Sequence, residues 1–420
     1  MQRLETLNNG LRFMAYPMAN MESVAIGIWV RAGGRYEDAK SSGISHLLEH
    51  LLFKGTVTRD MTTIKHDIEG RGGSFNGFTS EENTCYLVKV LGKDIELGVD
   101  ILSDMVLNPK LDETEIVKEK EVIVEEIKMY KDMPAHYVHE ILAEEMWPDQ
   151  PLGMPLAGTV ESVRAIARPD VVSYKEAYYH PKNIFVIAAG NVNAKTLASI
   201  ADKYLSGSRG GEASKYSKAV ISQNAPRAKL NIKKTEQTHL ALGLHSMDRF
   251  HEDKHVLSII NIILGANMSS RLFHIIRDEM ALCYEISSSV RRYEDCGALV
   301  VNAGVDDKKL VKAIEVILKE LYRFAKEPIS QEELGRAKED YKGQLLFALE
   351  DTMSHMLWLG EKVVSGEKDL TPEPILKKIE AVKPEDIMRV SEGLFKSANI
   401  NLAVIGPEID QARVKEALHF

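Results

Sequence analysis

The chain repeats itself. Three segments recur in the same order with a period near 216 residues. Ala25-Ile26-Gly27-Ile28 returns as Ala241-Leu242-Gly243-Leu244, an alternating, strand-like stretch in both places. Ile101-Leu102 opens a helical pattern that ends in Asn108-Pro109-Lys110-Leu111-Asp112-Glu113. It returns as Ile317-Leu318, running to Pro328-Ile329-Ser330-Gln331-Glu332. The apolar run from Asn183 to Gly190 returns from Asn399 to Gly406. Internal self-similarity is the first thing to account for in any fold assignment. At 420 residues there is room for two full domains.

Between the copies lies Ser206-Gly207-Ser208-Arg209-Gly210-Gly211, followed by a polar stretch to Arg227. That composition reads as a linker. We therefore expect a first domain over 1–206, a linker over 207–227 and a homologous second domain over 228–420. Each half mixes short strands with long helical patterns, so the expected class is α+β: two tandem domains, each a mostly antiparallel sheet packed with helices.

The formal net charge is −9, with no basic stripe, which argues against a nucleic-acid partner. Cys85, Cys283 and Cys296 are odd in number, far apart and not in CxxC spacing, which argues against a cysteine zinc site and a disulfide framework. They suit a reducing compartment. No export signal and no apolar run of membrane-spanning length stands out, so the expected location is the cytoplasm, with no membrane partner.

The chemistry is concentrated in Ser45-His46-Leu47-Leu48-Glu49-His50-Leu51-Leu52-Phe53. On a helix, His46 and His50 stand one turn apart on one face, and Glu49 leans toward it. Two neutral imidazoles can share a zinc ion, and a carboxylate beside them can serve as general base toward an activated water. Buried core histidines are the plainer explanation. However, three polar groups inside a Leu- and Phe-rich helix are costly without a shared purpose. Chance places an HxxEH string in roughly a few per cent of chains with this histidine content.

A catalytic zinc site also needs a third protein ligand. The acidic helical stretch from Asp112 to Lys131 supplies candidates. By helical phase, Glu126 and Glu119 flank its apolar side, whereas Glu121 and Glu125 belong to the wet side. Of the first pair, Glu126 is preferred as ligand and Glu119 as an outer partner that orients the site. In the second half, Glu126 aligns with Gln344 and Glu119 with Ala337. The stretch opposite His46–His50 falls near Asn261–Gly265, with no His or Glu. One copy keeps the scaffold and lacks the metal groups.

These residues resemble the insulinase/pitrilysin family of inverted-zincin metallopeptidases in its short, processing-peptidase-like form. The resemblance covers essentially the whole chain. It implies His46, His50 and Glu126 as ligands of one Zn2+ per chain, Glu49 as general base and Glu119 as a supporting catalytic residue. Two more segments match. Gly72-Gly73-Ser74-Phe75-Asn76-Gly77-Phe78-Thr79 is similar to the family's active-site edge strand, which implies peptide binding along Phe75, Asn76, Gly77, Phe78 and Thr79 by strand addition. The family usually has Ala where this chain has Gly77. Arg277 and Tyr284 resemble an Arg/Tyr pair that would bind the substrate carbonyl and stabilise the oxyanion. There the family's Gly-Leu-Ala-Tyr is Ala281-Leu282-Cys283-Tyr284. The implied protein is a zinc endopeptidase that hydrolyses unstructured peptides inside a chamber formed by a homodimer. Some members are inactive binding or assembly subunits, and that alternative stays open at this point.

Overall fold

In a computed structural model, residues 3–208, 210–212 and 215–419 are described. Arg209, Ala213 and Ser214, which belong to the expected linker, lie outside them. The first sheet contains β1 (Glu5–Thr6), β2 (Arg12–Pro17), β3 (Ser23–Val30), β4 (Ser74–Thr79), β5 (Thr84–Leu91) and β6 (Ile184–Gly190), in the order β1-β2-β6-β3-β5-β4. The second contains β7 (Arg227–Ile232), β8 (Thr238–Ser246), β9 (Cys283–Arg292), β10 (Gly297–Val305) and β11 (Ile400–Gly406), in the order β7-β11-β8-β10-β9. Both sheets are antiparallel except for one pair each, β2 with β6 and β7 with β11. Equivalent strands thus occupy equivalent places, and the expected α+β class with mostly antiparallel sheets is what the chain adopts.

The first half carries helices α1 (Ile44–Leu52), α2 (Met61–Glu69), α3 (Ile95–Leu107), α4 (Glu113–Lys131), α5 (Pro134–Met146), α6 (Val160–Ala165), α7 (Arg168–Tyr178) and α8 (Ala194–Leu205). The second carries α9 (Lys254–Leu264), α10 (Leu310–Lys326), α11 (Gln331–Ala348), α12 (Thr352–Ser365), α13 (Pro372–Ala381), α14 (Pro384–Leu394) and α15 (Gln411–Glu416). No helix among the described residues is long and apolar enough to cross a membrane.

Packing divides the chain differently from sequence order. One compact unit comprises Met1–Lys128, Met154–Ser217 and Leu346–Leu370. The other comprises Met129–Gly153, Lys218–Leu345 and Thr371–Phe420. Helix α12, from the second half, lies on β3 and β6 of the first sheet. Its Met356, Leu359, Val363 and Val364 pack with Ala25, Trp29, Phe185 and Ile187. Helix α5, its counterpart in the first half, lies on β8 and β11 of the second sheet, where Val138, Ile141, Leu142 and Met146 meet Ala241, Val300, Ala403 and Ile405. The repeated glycines mark both contacts. A Cβ at Gly27 would stand 2.6 Å from Met356 Sδ, and one at Gly243 would stand 2.6 Å from Met146 Sδ.

This exchange explains the sequence of β3. Val24, Ile26, Ile28 and Val30 face the main core of the first unit, while Ala25 and Trp29 face α12. A strand covered on both faces needs a continuous apolar run, not an alternating one. At one end of the same sheet, β4 pairs with β5 alone among the described strands. The other side of β4 is a free edge.

Candidate active site

Helix α1 is anchored by apolar burial and aimed by its start. Leu47, Leu48, Leu51 and Leu52 are buried, and each stabilises the packed helix by about 1.5–3 kcal/mol. The helix begins at Gly43, whose φ of 91° lies in the left-handed region that disfavours a side chain. A Cβ there would also approach the carbonyl oxygen of Ala157 to 2.7 Å. Glycine has no side chain to cap a helix, and Glu37 takes on that task from outside. The Gly43 N–H donates to Glu37 Oε2 at 2.7 Å and the Ser45 N–H donates to Oε1 at 2.8 Å. Ser45 Oγ shares a 2.6 Å hydrogen bond with Tyr174 Oη. Burial pushes the Glu37 carboxyl up to about 7, against the lowering effect of these donors.

On the half-buried flank of α1, His46 Nε2 and His50 Nε2 each lie 3.8 Å from Glu126 Oε2 of α4. One donor atom from each of the three residues falls within 4.8 Å of the others. Two atoms that share a zinc ion at about 2.0–2.2 Å stand within about 4.4 Å of each other. Both histidine–glutamate separations meet that limit, and a set of two imidazoles and one carboxylate is a common zinc donor set. His46 Nδ1 is buried with no hydrogen-bond partner among the described residues, so its Nε2 is the atom turned toward Glu126.

Glu119, two turns before Glu126, is buried and receives His50 Nδ1 at 3.2 Å on Oε2. Its other oxygen, Oε1, takes Lys54 Nζ at 2.7 Å. Burial acts to raise the Glu119 carboxyl, but the bonds to His50 and Lys54 prevail and hold it below the usual range. Glu49 is buried, and desolvation raises its carboxyl above the ordinary 4.5.

The two histidines titrate apart. Burial and the neighbouring His50 drive His46 down to about 4. Burial also opposes charge on His50, yet the Glu119 hydrogen bond and the charges of Glu49, Glu126 and Glu119 raise it above 6.5. A ligand imidazole must be neutral, so metal displaces a proton. His46 is already neutral between pH 6.5 and 5 and contributes no proton there. His50 does contribute one. We expect zinc affinity to fall about tenfold per pH unit over that window, the slope for one displaced proton. Chelator competition across the window measures it, and a hundredfold slope would mean that both rings titrate together.

Strand β4 closes over this group. Its Gly77 pairs with Tyr86 of β5, and a Cβ on it would stand 2.9 Å from both Glu49 Oε1 and Phe53 Cε2. The residue that departs from the family pattern thus stands where strand and helix approach closely. Asn76 is exposed and its Oδ1 accepts the Gly77 N–H at 2.9 Å. Phe75, Phe78 and Thr79 are half-buried along the same strand.

Geometry therefore gathers His46, Glu49, His50, Glu119, Glu126 and Gly77 of β4, whereas Phe78 packs against Trp29 in the cluster beneath α12. Arg277 and Tyr284 form a separate pair in the other unit. Arg277 sits in a π-helical turn, Phe273–Glu279, with its guanidinium 5.1 Å from the Tyr284 ring centre. Tyr284 is 77% exposed. Ala281 has a φ of 48°, so the family's glycine position is one where a side chain costs about 1–2 kcal/mol. Sequence reading missed Glu37, whose only signal is a carboxylate six residues ahead of the helix start. It also missed Lys54, one helical turn beyond His50.

The insulinase model of peptidase family M16 matches residues 14–160. The model of the M16 inactive domain matches residues 165–341. An uncharacterized zinc protease of Bacillus subtilis is 35% identical over 402 residues, covering 96% of this chain and 97% of its own. The chain belongs to peptidase family M16. Another uncharacterized zinc protease, from Streptomyces coelicolor, is 32% identical over 415 residues, covering 97% of this chain and 90% of its own. Among solved structures, a protease from Helicobacter pylori superposes with a TM-score of 0.90 at 22% identity, over 97% of this chain and 99% of its own. That likeness establishes a shared fold. Membership makes this chain one of a family of metallopeptidases.

Proposed function

We propose that the chain is a zinc-dependent endopeptidase for unstructured peptides, holding one zinc and acting as a homodimer. Its three free cysteines support a reducing, cytoplasmic setting. The observation that carries the reading is the convergence of His46 Nε2, His50 Nε2 and Glu126 Oε2, with the buried Glu49 carboxyl beside them. Zinc bound to those three residues supplies a Lewis acid for the scissile carbonyl and the attacking water.

The remaining work belongs to side chains. Glu49 takes the proton from water and returns it to the leaving amine. Its desolvated carboxyl suits that exchange, because burial strengthens it as a base. Glu119 holds the His50 ring through Nδ1 and so keeps Nε2 toward the ligand group. The free edge of β4 accepts an extended peptide backbone along Phe75–Thr79. A folded protein presents few such free backbone stretches, so unstructured chains are the expected substrates. For Arg277 and Tyr284 we propose donation to the carbonyl oxygen as charge develops on it.

The test is an unstructured fluorogenic peptide and a chelator. Stripping zinc should remove cleavage, and titrating zinc back should restore it with an endpoint of one ion per chain. Cleavage that persists in metal-free protein sinks the reading. A zinc-loaded protein that cleaves none of a varied peptide set is better read as an inactive binding subunit.

A further inference from the structure

Lys54 lies two residues past the end of α1, beyond the C-cap Phe53, and four residues after His50. Both reach the same carboxylate. His50 Nδ1 meets Glu119 Oε2 at 3.2 Å and Lys54 Nζ meets Oε1 at 2.7 Å. Glu119 is only 4% exposed, and the Lys54 side chain is 26% exposed. This pair is therefore unlike a solvated surface ion pair, whose worth is commonly close to nothing. A buried carboxylate oxygen that loses its cation is left desolvated and unpaired.

We propose that Lys54 is a positioning residue for the metal site. It fixes the Glu119 carboxylate in the one orientation that presents Oε2 to His50, and it clamps the end of α1 to α4. The backbone around it supports the clamp. The Lys54 N–H bonds to the Leu51 carbonyl at 3.1 Å, and the next residue, Gly55, accepts the Lys110 N–H at 3.1 Å, just ahead of α4. Glu126 lies seven residues after Glu119, on nearly the same face of α4. The clamp at Glu119 therefore also sets the rotation that brings Glu126 Oε2 to the histidines. Without Lys54, Glu119 Oε1 has no cation, and the carboxylate turns toward solvent and away from the ring it holds.

This inference rests on the metallopeptidase reading, but its readout is zinc affinity, which requires no cleavage. Zinc dissociation constants would be measured by chelator competition for wild type, Lys54→Met, Lys54→Arg and Glu119→Gln, with circular dichroism of the metal-free proteins as the folding control. Lys54→Met should weaken zinc by about 10–100-fold, the usual cost of losing an outer partner. Lys54→Arg, which keeps a cation in reach, should recover most of that loss. In a Glu119→Gln background, Lys54→Met should add little, because its route to the metal runs through Glu119. A folded Lys54→Met protein that binds zinc within twofold of wild type overturns the proposal, as does Lys54→Arg that binds no better than Lys54→Met. If Lys54→Met does not fold, Lys54→Gln is judged by the same limits. Wild type that binds no zinc at all defeats the metallopeptidase reading itself.

Discussion

Zinc-loaded Glu49→Gln should cleave an unstructured peptide with a kcat about 10²–10⁴-fold below wild type, the contribution typical of a general base. Glutamine keeps the length and nearly the volume of the side chain, so packing against Gly77 is preserved. What it loses is the ability to take a proton at any pH. The variant should keep its zinc, because Glu49 stands beside the converging donor atoms and is not one of them. Its stability should not fall either, since a buried carboxyl that burial already pushes toward neutrality is replaced by a neutral amide. The comparison must therefore be made at matched zinc content, with kcat and KM measured separately. Loss in kcat alone marks a group that acts in the transition state, whereas a rise in KM alone would mark substrate binding. A Glu49→Gln protein that retains a tenth or more of wild-type kcat removes Glu49 from the role of base.

Much of this site was legible because helices are periodic. The 3.6-residue repeat separated Glu119 and Glu126 from Glu121 and Glu125. In the structure Glu121 and Glu125 are exposed and paired with Arg164 and Lys128. The same reasoning found the asymmetry between the halves. Ala337 is buried in α11 and Gln344 bonds to Asp340 within that helix. The exchange of α5 and α12 was not legible. An amphipathic helix has the same pattern whichever sheet receives it, and the repeated Gly27 and Gly243 show a close contact without naming the partner. Glu37 escaped for a related reason. It caps α1 from an irregular segment, where no period links a side chain to the amides it will meet. Lys54 was within reach of the helical argument, but a lysine at a helix end is ordinarily read as a solvated charge favoured by the helix dipole.

The second large effect concerns the third donor. Glu126→Gln should weaken zinc by more than the 10–100-fold that removal of an outer partner costs, roughly enough for dialysis to leave the protein metal-free. The argument is one of charge. His46 and His50 contribute neutral imidazoles, so Glu126 is the one anion among the three converging donors. An amide oxygen in its place is a neutral and weaker donor for a divalent ion. The fold should tolerate the change. The Glu126 side chain is 24% exposed and stands 3.8 Å from each imidazole, beyond hydrogen-bond distance. The chain already carries glutamine at the equivalent place, where Gln344 sits in an intact α11. Chelator-competition affinity and zinc content after dialysis, set beside Glu119→Gln, decide the matter. Glu126→Gln should be the more damaging of the two, since one removes a ligand and the other only the group that aims a ligand. If Glu119→Gln strips the metal and Glu126→Gln keeps it, the two carboxylates exchange roles, and the phase of α4 seen here is not the one that holds zinc.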